Sequence, residues 1–327
     1  MNLLVNDFYK QIFGTKTYKI SLDAGCTCPN RDGTKGTGGC IFCSQNGSGD
    51  FAAARNLSIP EQLEQGKKLV ESKLRGRSGE RQGKYIAYFQ NFTSTYGEPS
   101  KLLAKYREAL SCENVAGLAV ATRPDCLGDE ILQGLGEISK SHFVQIELGL
   151  QTSNEATGKL INRCYTNQDY IDAVTRIRNL APSIHIVTHL IFGLPGETET
   201  DMLNSVKFVI ELNERVKRCS SECVTESLSC DSGFQRNEKW GLKITSLYVL
   251  QNTRLAQMYE SGEFQALSKD EYFKLLQKAL SLLPENCIIH RLTGDPPKAL
   301  LIAPSWTTDK KRVLNDLLTL LNSHNRI

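Results

Sequence analysis

Four cysteines, Cys26, Cys28, Cys40 and Cys43, fall within 18 residues. Thiols this close together, in a chain whose first residues carry no basic segment followed by an apolar run, point to a metal or a catalytic role rather than to disulfides. Cys40-Ile-Phe-Cys43 sets two of them one loop turn apart. Cys28 returns from twelve positions earlier, across a segment holding Gly33, Gly36, Gly38 and Gly39. Glycines let such a segment bend tightly around a bulky group. Thiolate is soft and charged, so an iron–sulfur cluster on Cys28, Cys40 and Cys43 is one reading. A four-thiolate zinc site that adds Cys26 is the other, although zinc hooks usually leave two to four residues between cysteines and Cys26-Thr-Cys28 leaves one. A redox pair at Cys40 and Cys43 lacks the strand and helix context such a pair needs. The cysteines alone leave cluster and zinc open.

The elements that must position them read as an alternation. Strands are expected at Tyr18–Leu22, Tyr85–Phe89, Gly117–Ala121, Phe143–Leu148, His185–Phe192 and Ile244–Leu250. Helices are expected between them, over about 60–75, 100–110, 129–138, from Thr166-Asn-Gln-Asp169, from Thr198 to about Leu212, and over 253–260. Six strand–helix units predict a parallel sheet with right-handed crossovers, an α/β fold that falls short of a closed eight-fold barrel. A capping box at Ser268-Lys-Asp-Glu271, an apolar strand-like piece Cys287-Ile-Ile-His290 and a stripe of Val313, Leu317, Leu320 and Leu321 form a C-terminal helical extension from about residue 265 that covers the barrel. Residues 213–239 are charged and poor in apolar side chains, and read as a surface insertion in an otherwise single domain spanning 1–327.

Polar or glycine-rich residues collect where each strand ends: Gln90-Asn-Phe-Thr93, Ala121-Thr-Arg-Pro-Asp125, Glu147-Leu-Gly-Leu-Gln151 and Phe192-Gly-Leu-Pro-Gly-Glu-Thr198. Barrel folds keep their reactive groups at that end. The 327 residues carry a net charge of +3, which permits an anionic partner and decides nothing more. No run of about 18 apolar residues exists, so no membrane span is expected and a cytoplasmic location is.

With these motifs in place, the chain resembles the radical S-adenosylmethionine (SAM) superfamily, in particular its YhcC/YtqA-type branch, related to the radical domain of elongator catalytic subunits. The resemblance rests on Lys19–Gly25, Cys28-Pro-Asn-Arg-Asp-Gly33, Gly38-Gly-Cys40-Ile-Phe-Cys43, Gly47–Phe51, Ala121–Asp125, Glu147–Gln151, His189–Thr198 and Arg291-Leu-Thr-Gly-Asp295, in that order. It covers nearly the whole chain apart from 213–239. It implies a partial (β/α)6 TIM-like barrel of the radical SAM type. It also implies a [4Fe–4S] cluster on Cys28, Cys40 and Cys43 whose open iron chelates SAM, reductive cleavage to a 5′-deoxyadenosyl radical, and an electron donor such as flavodoxin or ferredoxin.

Other SAM contacts carry over with alternatives attached. Glu147 is expected at the SAM amino group or ribose and Arg163 at its carboxylate, or each is half of a structural ion pair. Gly193 and Gly196 let backbone approach the adenine, or form only a strand-to-helix turn. Cys26 departs from the pattern and reads as a bystander. Cys219, Cys223 and Cys230 in the insertion read as unliganded, with a second cluster or zinc site as the alternative. His189 and His290 read as structural. Kinship with elongator subunits implies tRNA as substrate, with radical chemistry on a wobble-uridine side chain. The alternatives are a small-molecule substrate such as a porphyrin-like acid, or a zinc- or cluster-binding protein without turnover.

Overall fold

The computed structural model describes residues 2–45, 47, 52–74, 83–222 and 238–324 of the 327. In chain order the elements are α1 (Val5–Phe13), β1 (Thr17–Leu22), α2 (Ile59–Leu74), β2 (Lys84–Phe89), α3 (Pro99–Ser111), β3 (Val115–Thr122), α4 (Asp129–Ser139), β4 (Phe143–Gln151), α5 (Glu155–Leu160), α6 (Asn167–Leu180), β5 (His185–Phe192), α7 (Glu199–Glu222), β6 (Trp240–Ser246), β7 (Val249–Leu250), α8 (Arg254–Glu260), α9 (Lys269–Leu282), β8 (Cys287–Arg291), β9 (Leu301–Ala303) and α10 (Lys310–His324). Capping boxes at Thr166 and Ser268 start α6 and α9, as their sequences predict.

Seven strands form one parallel sheet in the order β1-β2-β3-β4-β5-β6-β8, with β1 and β8 as its edges. Alternate residues of each strand face opposite ways. On β4, Val144, Ile146, Leu148 and Leu150 enter the main core under the helices, while Gln145 and Glu147 face the other side. On β5 the split is Ile186, Leu190 and Phe192 against His185 and His189. The second face is concave. Lys19 of β1 and Glu147 of β4 lie three strand spacings apart, about 14 Å in a flat sheet, yet their side chains meet at 2.5 Å. The sheet is therefore a curled half-barrel, open between its edges.

Helix α1, which the sequence reading did not anticipate, closes the N-terminal end of this half-barrel. Leu4 bridges Ile289 of β8, and Asn2 Nδ2 donates to the carbonyl of Pro284 at 2.6 Å. Phe8 packs against His185, with ring centres 4.7 Å apart, and Tyr9 donates to Gln145 at 2.8 Å. Phe8, Tyr9, Ile86, Tyr88, Phe143 and Ile288 form a separate core here, the floor of the barrel.

Three other boundaries differ from expectation. Cys287–Arg291 is a seventh strand of the sheet rather than part of a cover, because Trp240–Leu242 offers it a parallel edge. The sixth strand begins at Trp240 and breaks after Ser246. Helix α7 runs on to Glu222, through the first part of the segment read as an insertion, burying Val216. The Cys219 side chain, Cys223 and Cys230 lie outside the described residues.

Phe8 is the apolar centre of the floor. Phe8→Ala is expected to cost about 3–5 kcal/mol. This will appear as a lower urea midpoint with an unchanged slope.

Candidate functional site

The concave face and the loops after the strands enclose a cavity of about 760 Å³. That is in the range of small-molecule and cofactor sites. It extends from the floor at Tyr9 and His290, past Glu147, to a rim made by Cys28, Cys40 and Cys43.

The cysteine loop is held there by its own backbone and by the segment after β4. Cys43 N–H donates to the Cys40 carbonyl at 3.0 Å, a tight turn that carries both thiols. Ile41 N–H donates to the Ile161 carbonyl, and Asn162 Nδ2 to the Gly39 carbonyl at 2.8 Å. Asn30, fully buried, donates back to the Asn162 carbonyl at 2.5 Å. A Cβ on Gly36 would sit 2.4 Å from Asn30 Oδ1, so only glycine lets the loop close on that clamp.

Donors surround the three thiols. Asn30 Nδ2 is 3.8 Å from Cys40 Sγ, and an Arg123 guanidinium nitrogen is 3.9 Å from Cys28 Sγ. Cys43 lies below the ordinary thiol range, first because it shares a hydrogen bond with Cys40 and then because Arg31 is close. Cys26 is different in kind. It is buried in the core between sheet and helices, its Sγ is 3.6 Å from the Ser94 carbonyl, and burial pushes its thiol up to about 11.

Glu147 lines the cavity, but both its oxygens are engaged. Oε1 accepts from Lys19 at 2.5 Å and Gln145 at 2.8 Å, and Oε2 from Tyr88 at 2.6 Å and Lys243 at 3.2 Å. Burial pushes the carboxyl up, but Lys19 and then Lys243 outweigh it and hold it well below the usual range. This is the ion-pair alternative. Arg163 is fully buried and does not line the cavity. Its five N–H groups go to the carbonyls of Tyr165, Leu150 and Thr152 and to the side chains of Glu155 and Asn167. They leave no donor for a ligand carboxylate. Gly193 and Gly196 have φ of +90° and +79° and make the turn from β5 to α7, and neither lines the cavity. A Cβ on Gly193 would lie 3.0 Å from Leu267. The cavity thus gathers Cys28, Cys40, Cys43 and Glu147 from among the expected site residues and leaves out Arg163, Gly193 and Gly196.

Comparison with known proteins places this geometry. The Radical SAM superfamily pattern matches residues 32–209, and a Radical_SAM C-terminal domain matches 240–322. YtqA of Bacillus subtilis is 36% identical over 310 residues, 95% of this chain and 86% of that one. The chain belongs to the radical SAM superfamily. YhcC of Escherichia coli is 31% identical over 325 residues, covering 99% and 93% of the two chains. A tRNA-2-methylthio-N(6)-dimethylallyladenosine synthase of Clostridium botulinum is 28% identical over 134 residues, 39% of this chain and 30% of that one. Elp3 of the archaeon Methanocaldococcus infernus has the same fold, with a TM-score of 0.57 at 16% identity over 88% of this chain and 58% of that one.

For a radical SAM enzyme the family implies SAM and a [4Fe–4S] cluster. The donor set fits such a group. Three thiols share one rim with cations and amide donors close by. Sequence reasoning did not single out Tyr88 and Lys243 of the lining, and it named Lys19 and Gln151 only as members of motifs. Gln151 is turned into the cavity by a bulge at the end of β4, where its φ is +62°. That bulge is a tertiary feature with no signature in the Gly149-Leu-Gln151 tripeptide.

Replacing Glu147 by Gln leaves Lys19 and Lys243 facing each other without a counter-charge. The expected cost at pH 7 is about 3–5 kcal/mol. Because the native pKa is depressed, the carboxylate stabilises fully above its unfolded pKa of about 4.3 and loses that contribution as pH falls through the native value. Denaturant titrations should show the gap between the two proteins narrowing below about pH 4.

Proposed function

We propose that this radical SAM enzyme holds a [4Fe–4S] cluster on Cys28, Cys40 and Cys43, cleaves SAM there, and acts on tRNA at the side chain of a wobble uridine. The observation that carries the reading is the grouping of these three thiols at one cavity rim, with Cys26 turned into the outer core. When bound, the cluster supplies the electron that splits SAM into methionine and a 5′-deoxyadenosyl radical, its fourth iron being free to chelate the amino acid end of SAM.

The chain's own residues have definable tasks around it. Arg123 and Asn30 point donors at the sulfurs of Cys28 and Cys40, and Arg31 favours the thiolate of Cys43. Phe42, Phe92, Ile191 and Leu247 give the cavity an apolar lining that excludes water from a reactive radical. Gln90, Thr93, Gln151 and Ser246 present amides and hydroxyls to orient what binds between rim and floor. Electrons would come from a flavodoxin- or ferredoxin-type donor.

One thing favours tRNA over a small molecule such as a porphyrin-like acid. The Clostridium botulinum relative is named for a tRNA modification. The arginines of the lining, Arg31, Arg123 and Arg291, suit phosphates and carboxylates alike.

Anaerobic reconstitution of Cys28→Ala, Cys40→Ala and Cys43→Ala should each give well below the about four irons per chain of the parent and no 5′-deoxyadenosine under a reductant. Cys26→Ala should keep both. Zinc in place of iron in the anaerobically purified parent would sink the cluster reading. For the substrate, deleting the gene should change one modified nucleoside in digests of total tRNA. An unaltered profile, with no tRNA binding at moderate salt, would overturn that part alone.

A further inference from the structure

Among the described residues that line the cavity, five are Lys or Arg (Lys19, Arg31, Arg123, Lys243 and Arg291) and two are carboxylates, Glu147 and Asp295. Four of the five cations have partners. Lys19 and Lys243 share Glu147. Arg123 forks onto Asp125, outside the lining, and Arg31 donates to the carbonyls of Ser44 and Gln45. Asp295 is taken by Lys310. That leaves Arg291, which makes no hydrogen bond or ion pair among the described residues.

Its position sharpens the imbalance. Arg291 ends β8, the last strand of the sheet, and lies in register with Lys243 on β6. The cysteine loop follows β1, at the opposite edge. Lys19 on β1, Lys243 on β6 and Arg291 on β8 bring three positive charges to the concave wall of the sheet, against the single charge of Glu147. The histidines on that wall do not offset this, since burial holds His189 and His290 neutral. Lys243 lies below the usual lysine range, first through burial, with Glu147 pulling it back up and Arg291 and Lys19 adding to the lowering. Arg291 is exposed where it lines the cavity, and an anion placed between it and the largely buried Lys243 is attracted by both charges.

We propose that Arg291, with Lys243 beside it, docks an anionic group of the substrate, a carboxylate or a phosphate, on the wall of the cavity opposite the cysteine rim. A guanidinium fork takes either group through two parallel N–H bonds, a geometry an ammonium does not reproduce. Tyr248, also in the lining, adds a hydroxyl at the same edge. The substrate is thereby fixed by its charged end, which leaves its remaining part directed toward the rim. This rests on the reading of the cavity as the reaction chamber, and its test does not require turnover.

The test uses the reconstituted full chain. Potassium phosphate and potassium acetate are each titrated against potassium chloride at constant ionic strength, and the thermal midpoint is followed. At least one of the two anions should raise the midpoint of the parent by mass action. The apparent affinity should fall at least tenfold in Arg291→Gln and by less in Arg291→Lys, which keeps the charge and loses the fork. A response to phosphate alone assigns the site to a phosphate of the substrate, and a response to acetate alone assigns it to a carboxylate. Equal affinity in the parent and Arg291→Gln, or no response to either anion, overturns the proposal. Circular dichroism of both variants checks that they are folded. Iron content on the same samples reports the cluster separately, so a parent that binds the anion but holds no iron would fail the reading of the cysteines and leave the anion site standing.

Discussion

One carboxylate answers for two ammonium groups on the inner face of the sheet, and the shape of the molecule follows from keeping that arrangement intact. Glu147 sits on the middle strand of seven, and Lys19 and Lys243 reach it from three strands away on one side and two on the other. Each would be costly to bury alone. Together with Tyr88 and Gln145 they saturate the carboxylate oxygens. They meet only if the sheet curls. A flat sheet of the same sequence would strand all three charges on a face that carries no helix to cover it. The polar inner face and the curvature are thus one constraint seen twice, and the cavity is the space it leaves.

That constraint explains what could be read from the chain in advance. The outer face had to be apolar and continuous for helices to pack on it, so six of the seven strands stand out as short runs of Val, Ile, Leu and aromatic residues. The seventh, Cys287–Arg291, reads as strand-like from its apolar run, but it follows a helix already assigned to a cover, and nothing local shows that it joins the main sheet beside β6. Helix α1 was legible in principle. Val5, Phe8, Tyr9, Ile12 and Phe13 recur at helical spacing, and Gly14 at φ +72° ends the helix. Its destination, the floor of a barrel built mostly by later residues, was not.

The site divides in the same way. Cysteine spacing is a local property, and it picked out the residues now found at one rim. Whether an arginine is free for a ligand is not local. Arg163 and Arg291 look alike in sequence, yet one spends every donor on its own chain and the other faces a cavity with none spent among the described residues. The difference comes from carbonyls at Leu150, Thr152 and Tyr165, which lie near Arg163 only because β4 ends in a bulge and turns back. Cys26 and Cys28 are two residues apart and differ as much, one facing the outer core and one the inner space.

The floor of the half-barrel also sets an order of events during synthesis. Asn2 and Pro284, joined by a hydrogen bond, are 282 positions apart, and Leu4 waits for Ile289. At roughly 5–20 residues per second, the first helix leaves the ribosome roughly 15–60 s before its seat exists. For that interval the aromatic face of Phe8, Tyr9 and Phe13 can meet Phe143 and His185 but not Ile288 and His290, which close the floor. The vessel that must shelter a radical from water is sealed at its base only when its last strand emerges. A nascent chain shorter than about 290 residues would carry the cysteine loop complete and the chamber still open at the bottom.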